Sequence, residues 1–236
     1  LRSESRRVIP RGRIRFLALG SVIATLAALA IPLSAMFTRS LGAGAYPALF
    51  IDDRVVGRPI DSVVNSLGFA LVATVLAVVV GVMAAAVITG RSGAFSRWFD
   101  LTLMLPLGTS AVTIGFGFIV ALDWPVDLRA SLWLIPIAHA LVAVAFVVRT
   151  TVPVLRSIPP EVKEAAAVLG ASPGRVWREI DLPIMGRAAL VGAGFAFVIS
   201  LGEFGATSFI ARPNTVTMPV MIFRLLARPG ATSLAT

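Results

Sequence analysis

Long apolar runs separated by short polar segments dominate the chain. Five runs cover residues 16–37, 63–88, 101–122, 130–148 and 188–210. Each is long enough to cross a bilayer as a helix, which takes about 20 mostly apolar residues. Buried core helices of a large soluble protein would be the alternative, but five such runs contain too few charges for it. The pattern predicts an all-α, polytopic transmembrane helix bundle.

The polar segment between the last two runs carries helix signals. Residues 160–169 should form a helix, since Pro159 and Pro160 suit a helix start and the Ala-rich run favours helix. Gly170 should end it in a left-handed conformation. Ser172 can cap a second helix, which should run to about residue 181 and stop at Pro183.

Two further segments flank the runs. Residues 38–62 contain several Gly, Pro and Asp residues, which predicts a connection with little regular structure. Beyond Arg212, an apolar stretch over residues 220–227 is too short to span a bilayer. We expect it to be an interfacial helix on the periplasmic side.

Composition strengthens the membrane interpretation. The chain is 57% hydrophobic and 14% charged, whereas soluble domains carry roughly 25% charge. The net charge of +9 does not indicate nucleic-acid binding, because the arginines lie beside apolar runs rather than in one stripe. The absence of cysteine excludes disulfides and thiolate metal sites.

The basic residues also predict an orientation. If the N-terminus is inside, segments 1–15, 89–100 and 149–187 face the cytoplasm. They contain 14 of the 21 lysines and arginines. Because cytoplasmic loops are enriched in these residues, we expect a cytoplasmic N-terminus in the cell membrane, with loop 153–187 also cytoplasmic.

Within that loop, residues 164–183 read EAAAVLGASPGRVWREIDLP. This string resembles the EAA loop of permease subunits from binding-protein-dependent ATP-binding-cassette (ABC) importers. The residue types, their spacing and the membrane context all agree. The matching positions are Glu164, Ala165, Ala166, Gly170, Ile180, Leu182 and Pro183.

The resemblance implies the type I ABC importer permease fold with a cytoplasmic helix–Gly–helix coupling loop. An ATPase subunit would grip that loop, with Glu164 and Gly170 at the contact. Physics alone leaves an amphipathic loop lying on the membrane equally open, and the complete motif favours coupling. The other implied partners are a second permease half or subunit, a periplasmic solute-binding protein and the lipid bilayer.

The chain should not bind ATP itself. A phosphate-binding loop needs Gly-Lys-Ser/Thr, and the sole lysine, Lys163, precedes Glu164. We therefore expect no catalytic, cofactor or metal site here, with ATP used by the partner subunit. An intramembrane protease would need a motif such as His-Glu-x-x-His, but Ala140 follows His139. A structural membrane scaffold would not require the EAA spacing.

Small residues should let the helices pack closely. The second run opens with Asn-Ser-Leu at residues 65–67, which resembles the start of the permease core. Small side chains then recur every four residues there and in the fifth run, a spacing that favours close helix approach. They are Ala77, Gly81, Ala85, Gly192 and Ala196.

Glu203 is the acid well inside a predicted span, and such acids usually face a cavity or a partner. It could line the translocation path or gate, or it could be a structural acid bonded to nearby backbone. Both possibilities stay open. His139 is expected to be a packed, hydrogen-bonded residue rather than a metal ligand.

The residues around Glu203 resemble permeases for ferric iron, thiamine, molybdate and sulfate, and residues 217–230 are closest to the iron and thiamine group. Ferric iron or thiamine is therefore the favoured solute, with a molybdate- or sulfate-type oxyanion as the alternative. In that group two permease halves are often fused, so the chain is expected to be a second half. The expected organisation is a basic segment (1–15), a permease domain (16–211) and a periplasmic tail (212–236) that ends before a further span.

Overall fold

The computed structural model describes residues 12–42, 45–51, 57–90, 93–123, 129 and 131–227. Most of the expected basic segment and the last nine residues of the expected tail lie outside them. The all-α prediction is confirmed. In chain order, the elements are α1 (Arg13–Gly42), α2 (Ala45–Ala48), α3 (Pro59–Gly90), α4 (Ala94–Gly108), α5 (Ala111–Ala121), α6 (Leu134–Arg156), α7 (Pro160–Val168), α8 (Pro173–Val176), a π turn (Trp177–Asp181), α9 (Leu182–Leu201), α10 (Gly205–Ile210) and α11 (Met218–Leu226).

Within the described residues, four helices are long and apolar enough to cross a membrane, at Ile14–Leu41, Pro59–Gly90, Leu134–Arg156 and Pro173–Leu201. They correspond to the first, second, fourth and fifth predicted spans. The fourth starts at Leu134 instead of residue 130 and continues beyond 148 to Arg156. The predicted irregular loop 38–62 is also shorter than expected, because helices occupy both of its ends and α2 lies within it.

The third predicted span is not one straight helix. α4 and α5 meet at a bend of 105°, so together they form either a broken span or a re-entrant segment. Pro106 occupies the last turn of α4, and Thr109 after it is extended, with φ −102° and ψ 142°. Proline disturbs the helical turn that precedes it, but α4 continues through Pro106 to Gly108 and the chain first leaves the helix at Thr109. Hydropathy along residues 101–122 does not report this bend.

The predicted fifth span, 188–210, is likewise divided. α9 ends at Leu201, and α10 begins only at Gly205. Toward its N-terminus, the helix that ends at Leu201 is longer than predicted. α8, the π turn and α9 run without interruption from Pro173 to Leu201. The expectation that Pro183 stops the second loop helix was therefore wrong.

The π turn explains why Pro183 is tolerated. Inside a regular helix, a proline ring clashes with the carbonyl four residues earlier, and its missing N–H leaves that carbonyl unbonded. A π turn adds one residue to the turn and shifts the carbonyl positions. The turn at Trp177–Asp181 ends two residues before Pro183 and contains the residue four positions before it, so the helix continues through the proline.

The core consists of α3, α6 and α9, which contact one another extensively. Val147 of α6 lies between glycines of the other two helices. A Cβ on Gly81 would lie 2.7 Å from the Val147 Cβ, and one on Gly192 would lie 2.9 Å from the Val147 Cα. Ala77, Ala85 and Ala196 are fully buried. The predicted small-residue faces are thus confirmed, and they bring the three backbones together.

Two further described elements, α11 and α1, lie outside this core. α11 confirms the short helix expected near residues 220–227, and it packs on the start of α3. Asn65 of α3 donates to the Asn214 and Val216 carbonyls at 3.2 and 3.1 Å, while Ser66 accepts from the Met218 N–H at 2.7 Å. In contrast, none of the described side chains of α1 is buried.

We predict that Gly192→Ala destabilises the bundle by about 1–3 kcal/mol, the usual range for overpacking a tight contact. The new methyl would lie 2.7 Å from the Thr150 Oγ1 and 2.9 Å from the Val147 Cα. Gly194→Ala is the matched control on the same helix, because nothing lies within 4 Å of its Cβ position. Thermal unfolding in detergent, followed by tryptophan fluorescence, should show a lower midpoint for Gly192→Ala only. Equal midpoints would show that the contact is not tight.

Candidate functional site

The EAA segment forms a projecting loop at the end of the bundle where α6 finishes. Pro159 is extended, with φ −61° and ψ 135°, and Pro160 occupies the first turn of α7. A proline suits that position because the first N–H groups of a helix have no partner within it. The chain therefore leaves α6 and enters a new helix within three residues.

Gly170 turns the chain back. Its φ is +81°, a conformation that costs residues with a Cβ about 1–2 kcal/mol. The Gly170 N–H donates to the Ala167 carbonyl at 2.9 Å, and the Ala171 N–H donates to the Ala166 carbonyl at 3.0 Å. These two bonds satisfy carbonyls that the end of α7 leaves free. The predicted left-handed helix end is thus confirmed.

Ser172 occupies the N-cap position of the next helix, as predicted. Its carbonyl accepts from the Arg175 and Val176 N–H groups at 2.9 and 3.0 Å. Its side chain makes no capping hydrogen bond, so the expected role of the hydroxyl is not observed. The helix start relies instead on Pro173 in its first turn.

The residues of the loop helices are exposed or only partly buried. None of the residues in α7, α8 or the π turn is buried. Val168 and Leu169, at the tip beside Gly170, are each 87% exposed. Exposing adjacent apolar side chains to water is unfavourable. Covering them with a partner protein would therefore be favourable. Neither residue is among the seven positions of the motif.

All seven motif positions lie at this end of the molecule, although they do not form one contact cluster. Three are in α7, Gly170 forms the turn, Ile180 is in the π turn, and the last two begin α9. Leu182 and Pro183 are exposed. Two residues later, Met185 is completely buried in the core. The loop is therefore fastened to the bundle immediately after the motif ends.

Glu203 lies in the break between α9 and α10. Its Oε1 accepts from the Ala206 N–H at 3.0 Å, and its Oε2 accepts from the Thr207 N–H at 3.1 Å and the Thr207 hydroxyl at 2.9 Å. Its side chain is 8% exposed. The carboxylate thus satisfies donors that the helix break leaves free, as the structural possibility for this acid expected.

His139 of α6 joins the same cluster. Its Nδ1 lies 2.7 Å from the Ser200 Oγ, and its Nε2 lies 2.7 Å from the Thr207 Oγ1. The expectation of a packed, hydrogen-bonded histidine is confirmed. Since the Thr207 hydroxyl hydrogen goes to Glu203, the Thr207 oxygen must accept from His139 Nε2–H. A neutral His139 then accepts at Nδ1 from the Ser200 hydroxyl, which assigns its tautomer from the network.

The partnership of His139 with Glu203 was missed from the sequence. They are 64 positions apart, and the His139 Nε2 lies 3.6 Å from the Glu203 Oε2. One signal was present locally, because Ser200, Glu203 and Thr207 have the spacing of one helix face. Nothing in the sequence indicated which residue of α6 would meet that face.

α5, which follows the 105° bend, packs against α10, which follows the break after α9. A Cβ on Gly115 of α5 would lie 2.7 Å from the Ala206 Cα, and one on Gly205 of α10 would lie 2.7 Å from the Ala111 Cβ. The break beside Glu203 therefore meets the segment after the 105° bend. Within the described residues, no group of three or more His, Cys, Asp or Glu side chains is arranged to hold a metal ion.

Comparison with known proteins identifies relatives. Residues 77–225, which include the loop and the α9–α10 break, match the family described as binding-protein-dependent transport system inner membrane component. Over 206 residues the chain is 29% identical to a Salmonella typhimurium protein named as the PhnV permease of a 2-aminoethylphosphonate transport system, covering 84% of this chain and 78% of the relative.

Two other relatives are named for different solutes. The putrescine transport system permease protein PotI of Escherichia coli is 31% identical over 204 residues, which cover 81% of this chain and 70% of the relative. The sulfate transport system permease protein CysT of Salmonella typhimurium is 35% identical over 150 residues. That match covers 58% of this chain and 54% of CysT.

Proposed function

The chain belongs to the family of binding-protein-dependent transport system inner membrane components, and we propose that its projecting loop couples it to an ATPase subunit. Its relatives are transport system permease proteins, so it is a multi-pass inner-membrane transporter subunit and not an enzyme. The observation that carries the coupling proposal is the exposed helix–Gly–helix loop with all seven motif positions at one end of the bundle.

The loop has the properties of a peg for a groove in another protein. An amphipathic helix commonly binds by laying its apolar residues into such a groove, and the tip residues Val168 and Leu169 would be covered there. Glu164 and Gly170 would lie at the contact. ATP would be bound and hydrolysed by the partner, as the absence of a phosphate-binding motif in this sequence suggests.

A displacement of the loop would reach the far side of the bundle through one helix. The helix Pro173–Leu201 has 29 residues, which corresponds to about 43 Å at 1.5 Å per residue. Because it is unbroken, closure of the ATPase subunits on the loop would move the α9–α10 break as well. Alternating access by rocking helices would follow. A second permease half or subunit, separate or fused, would complete the path.

The solute is proposed only as a class. The relatives compared here are named for 2-aminoethylphosphonate, putrescine and sulfate, which are small charged molecules. We propose a small charged solute that a periplasmic binding protein delivers. Ferric iron and thiamine remain predictions that none of these names supports, whereas the sulfate permease agrees with the oxyanion alternative. Thermal-shift measurements on the solute-binding protein that supports uptake through this permease would test each of these solutes.

Glu203 is proposed to act at the gate by holding the helix break. Its carboxylate oxygens already accept three hydrogen bonds from α10, so they have little capacity left for a passing solute. The break sits beside α5, which is itself displaced by the 105° bend. Discontinuous helices of this kind commonly border the path in transporters.

Gly170→Val should weaken recovery of the ATPase subunit with the permease and reduce transport. A β-branched residue is strained at φ +81°, so the turn that presents Leu169 should be distorted. Gly174→Val is the matched control, because its Cβ position is open and its φ is not in the left-handed region. Co-purification from membranes measures the effect. Unchanged recovery and transport for Gly170→Val would contradict the coupling proposal.

The proposed orientation can be tested by cysteine labelling, since the chain has no cysteine of its own. Ser40→Cys, in the last turn of α1, should react with a membrane-impermeant reagent only from the periplasmic side. Glu161→Cys, in α7, should react only from the cytoplasmic side when the ATPase is absent. The reverse pattern would refute the cytoplasmic N-terminus.

Glu203→Gln should impair solute uptake while leaving assembly with the ATPase intact. A glutamine amide nitrogen cannot accept a hydrogen bond, so at least one donor on Ala206 or Thr207 would lose its partner. Asp61→Asn, at an acid 56% exposed at the start of α3, is the control. Uptake into reconstituted vesicles is the assay, with complex recovery measured in parallel. Normal uptake would assign Glu203 a purely structural role.

A further inference from the structure

An ion pair crosses the turn of the coupling loop. The Lys163 Nζ lies 2.8 Å from the Asp181 Oδ1 and 3.0 Å from the Asp181 Oδ2. Lys163 is the chain's single lysine and belongs to α7, whereas Asp181 ends the π turn. The ammonium donates a hydrogen bond to Oδ2 and lies within ion-pair distance of Oδ1 of a carboxylate 18 residues further along the chain.

This ion pair joins residues much further apart along the chain than two other ion pairs of the structure. Arg58–Asp61 and Arg175–Glu179 are each formed within three or four residues, so they link positions of one local segment. Lys163–Asp181 links two separate helices. Asp181 is only 14% exposed, and a carboxylate with that burial is screened less by solvent and salt than a fully exposed one.

Little else holds α7 in place. None of its residues is buried, so no apolar core fixes its angle. On its far side the chain passes directly through Gly170, and glycine restricts the backbone less than residues that have a Cβ. Among the described residues, the side-chain bond that ties α7 to another helix is the one from Lys163.

The other end of the pair is rigidly placed. Asp181 lies within the continuous helix Pro173–Leu201, and Met185, one turn later, is completely buried between the core helices. A force applied to α7 can thus reach the core through Asp181 without passing around the Gly170 turn.

We propose that Lys163 and Asp181 form an electrostatic brace, which sets the angle of α7 against the helix Pro173–Leu201 and makes the loop move as one body with the core. Both are positioning residues for ATPase coupling. This inference rests on the proposed function of the loop.

If Lys163 and Asp181 hold α7 in place, removing either charge should change the distribution of distances between α7 and α9. Nitroxide labels on Glu161→Cys and Arg187→Cys, both exposed, would report the position of α7 relative to α9 in the full-length chain. Asp181→Asn and Lys163→Gln should each broaden the distribution measured by electron–electron double resonance. The charge swap Lys163→Asp with Asp181→Lys should narrow it again.

A second experiment measures ATP hydrolysis in vesicles by the permease assembled with its ATPase subunit. Each single variant should lower hydrolysis several-fold, and the charge swap should restore at least half of it. Asp61→Asn is the matched control, because it removes a carboxylate that pairs with Arg58 three residues away, outside the loop. It should leave both the distances and hydrolysis unchanged.

The possible failures are distinguishable. Unchanged distances in the single variants, or a swap no better than either single change, would overturn the brace. An equal effect of Asp61→Asn would also overturn it, since general loss of charge would then suffice. Altered distances with normal hydrolysis in all loop variants, Gly170→Val included, would overturn the coupling function and with it the role of the brace.

Discussion

The close approach of three helices around Val147 is the constraint on which the rest of the structure depends. In lipid, helices gain no hydrophobic free energy by associating, so close packing of small residues must hold them together. Gly81 and Gly192 provide that packing on either side of Val147, where any added methyl would overlap it. Because α9 is held there, the positions of both its ends follow: the proposed coupling loop is on one side and the Glu203 break is on the other.

The break between α9 and α10 is stabilised by side-chain hydrogen bonds. A backbone N–H without a partner is costly inside a membrane, and ending α9 at Leu201 would leave several such groups at the start of α10. Glu203 accepts from two of them and from the Thr207 hydroxyl. His139 then extends the network to α6 and Ser200. A satisfied buried network of this kind specifies one arrangement, so the bundle can keep a discontinuous helix next to a rigid one.

Hydropathy and local signals predicted much of this molecule. Apolar length located four of the long helices, and the left-handed turn at Gly170 followed from glycine's freedom at positive φ. Properties that depend on tertiary context were not predictable. The bend after Pro106 leaves the hydropathy of its segment unchanged, and a π turn let the helix continue through Pro183. The meeting of His139 with Glu203 depends on the rotation of α6 against α9, which no local pattern encodes.

The claim that the loop is the docking site of the ATPase can be tested by site-specific photo-crosslinking in membranes. A photoreactive residue at Leu169, which is 87% exposed at the loop tip, is compared with one at Leu190, which is 74% exposed on α9. Position 169 should yield a covalent adduct with the ATPase subunit, and position 190 should yield none with it. Adducts with lipid at both positions, or ATPase adducts at 190 alone, would contradict the account.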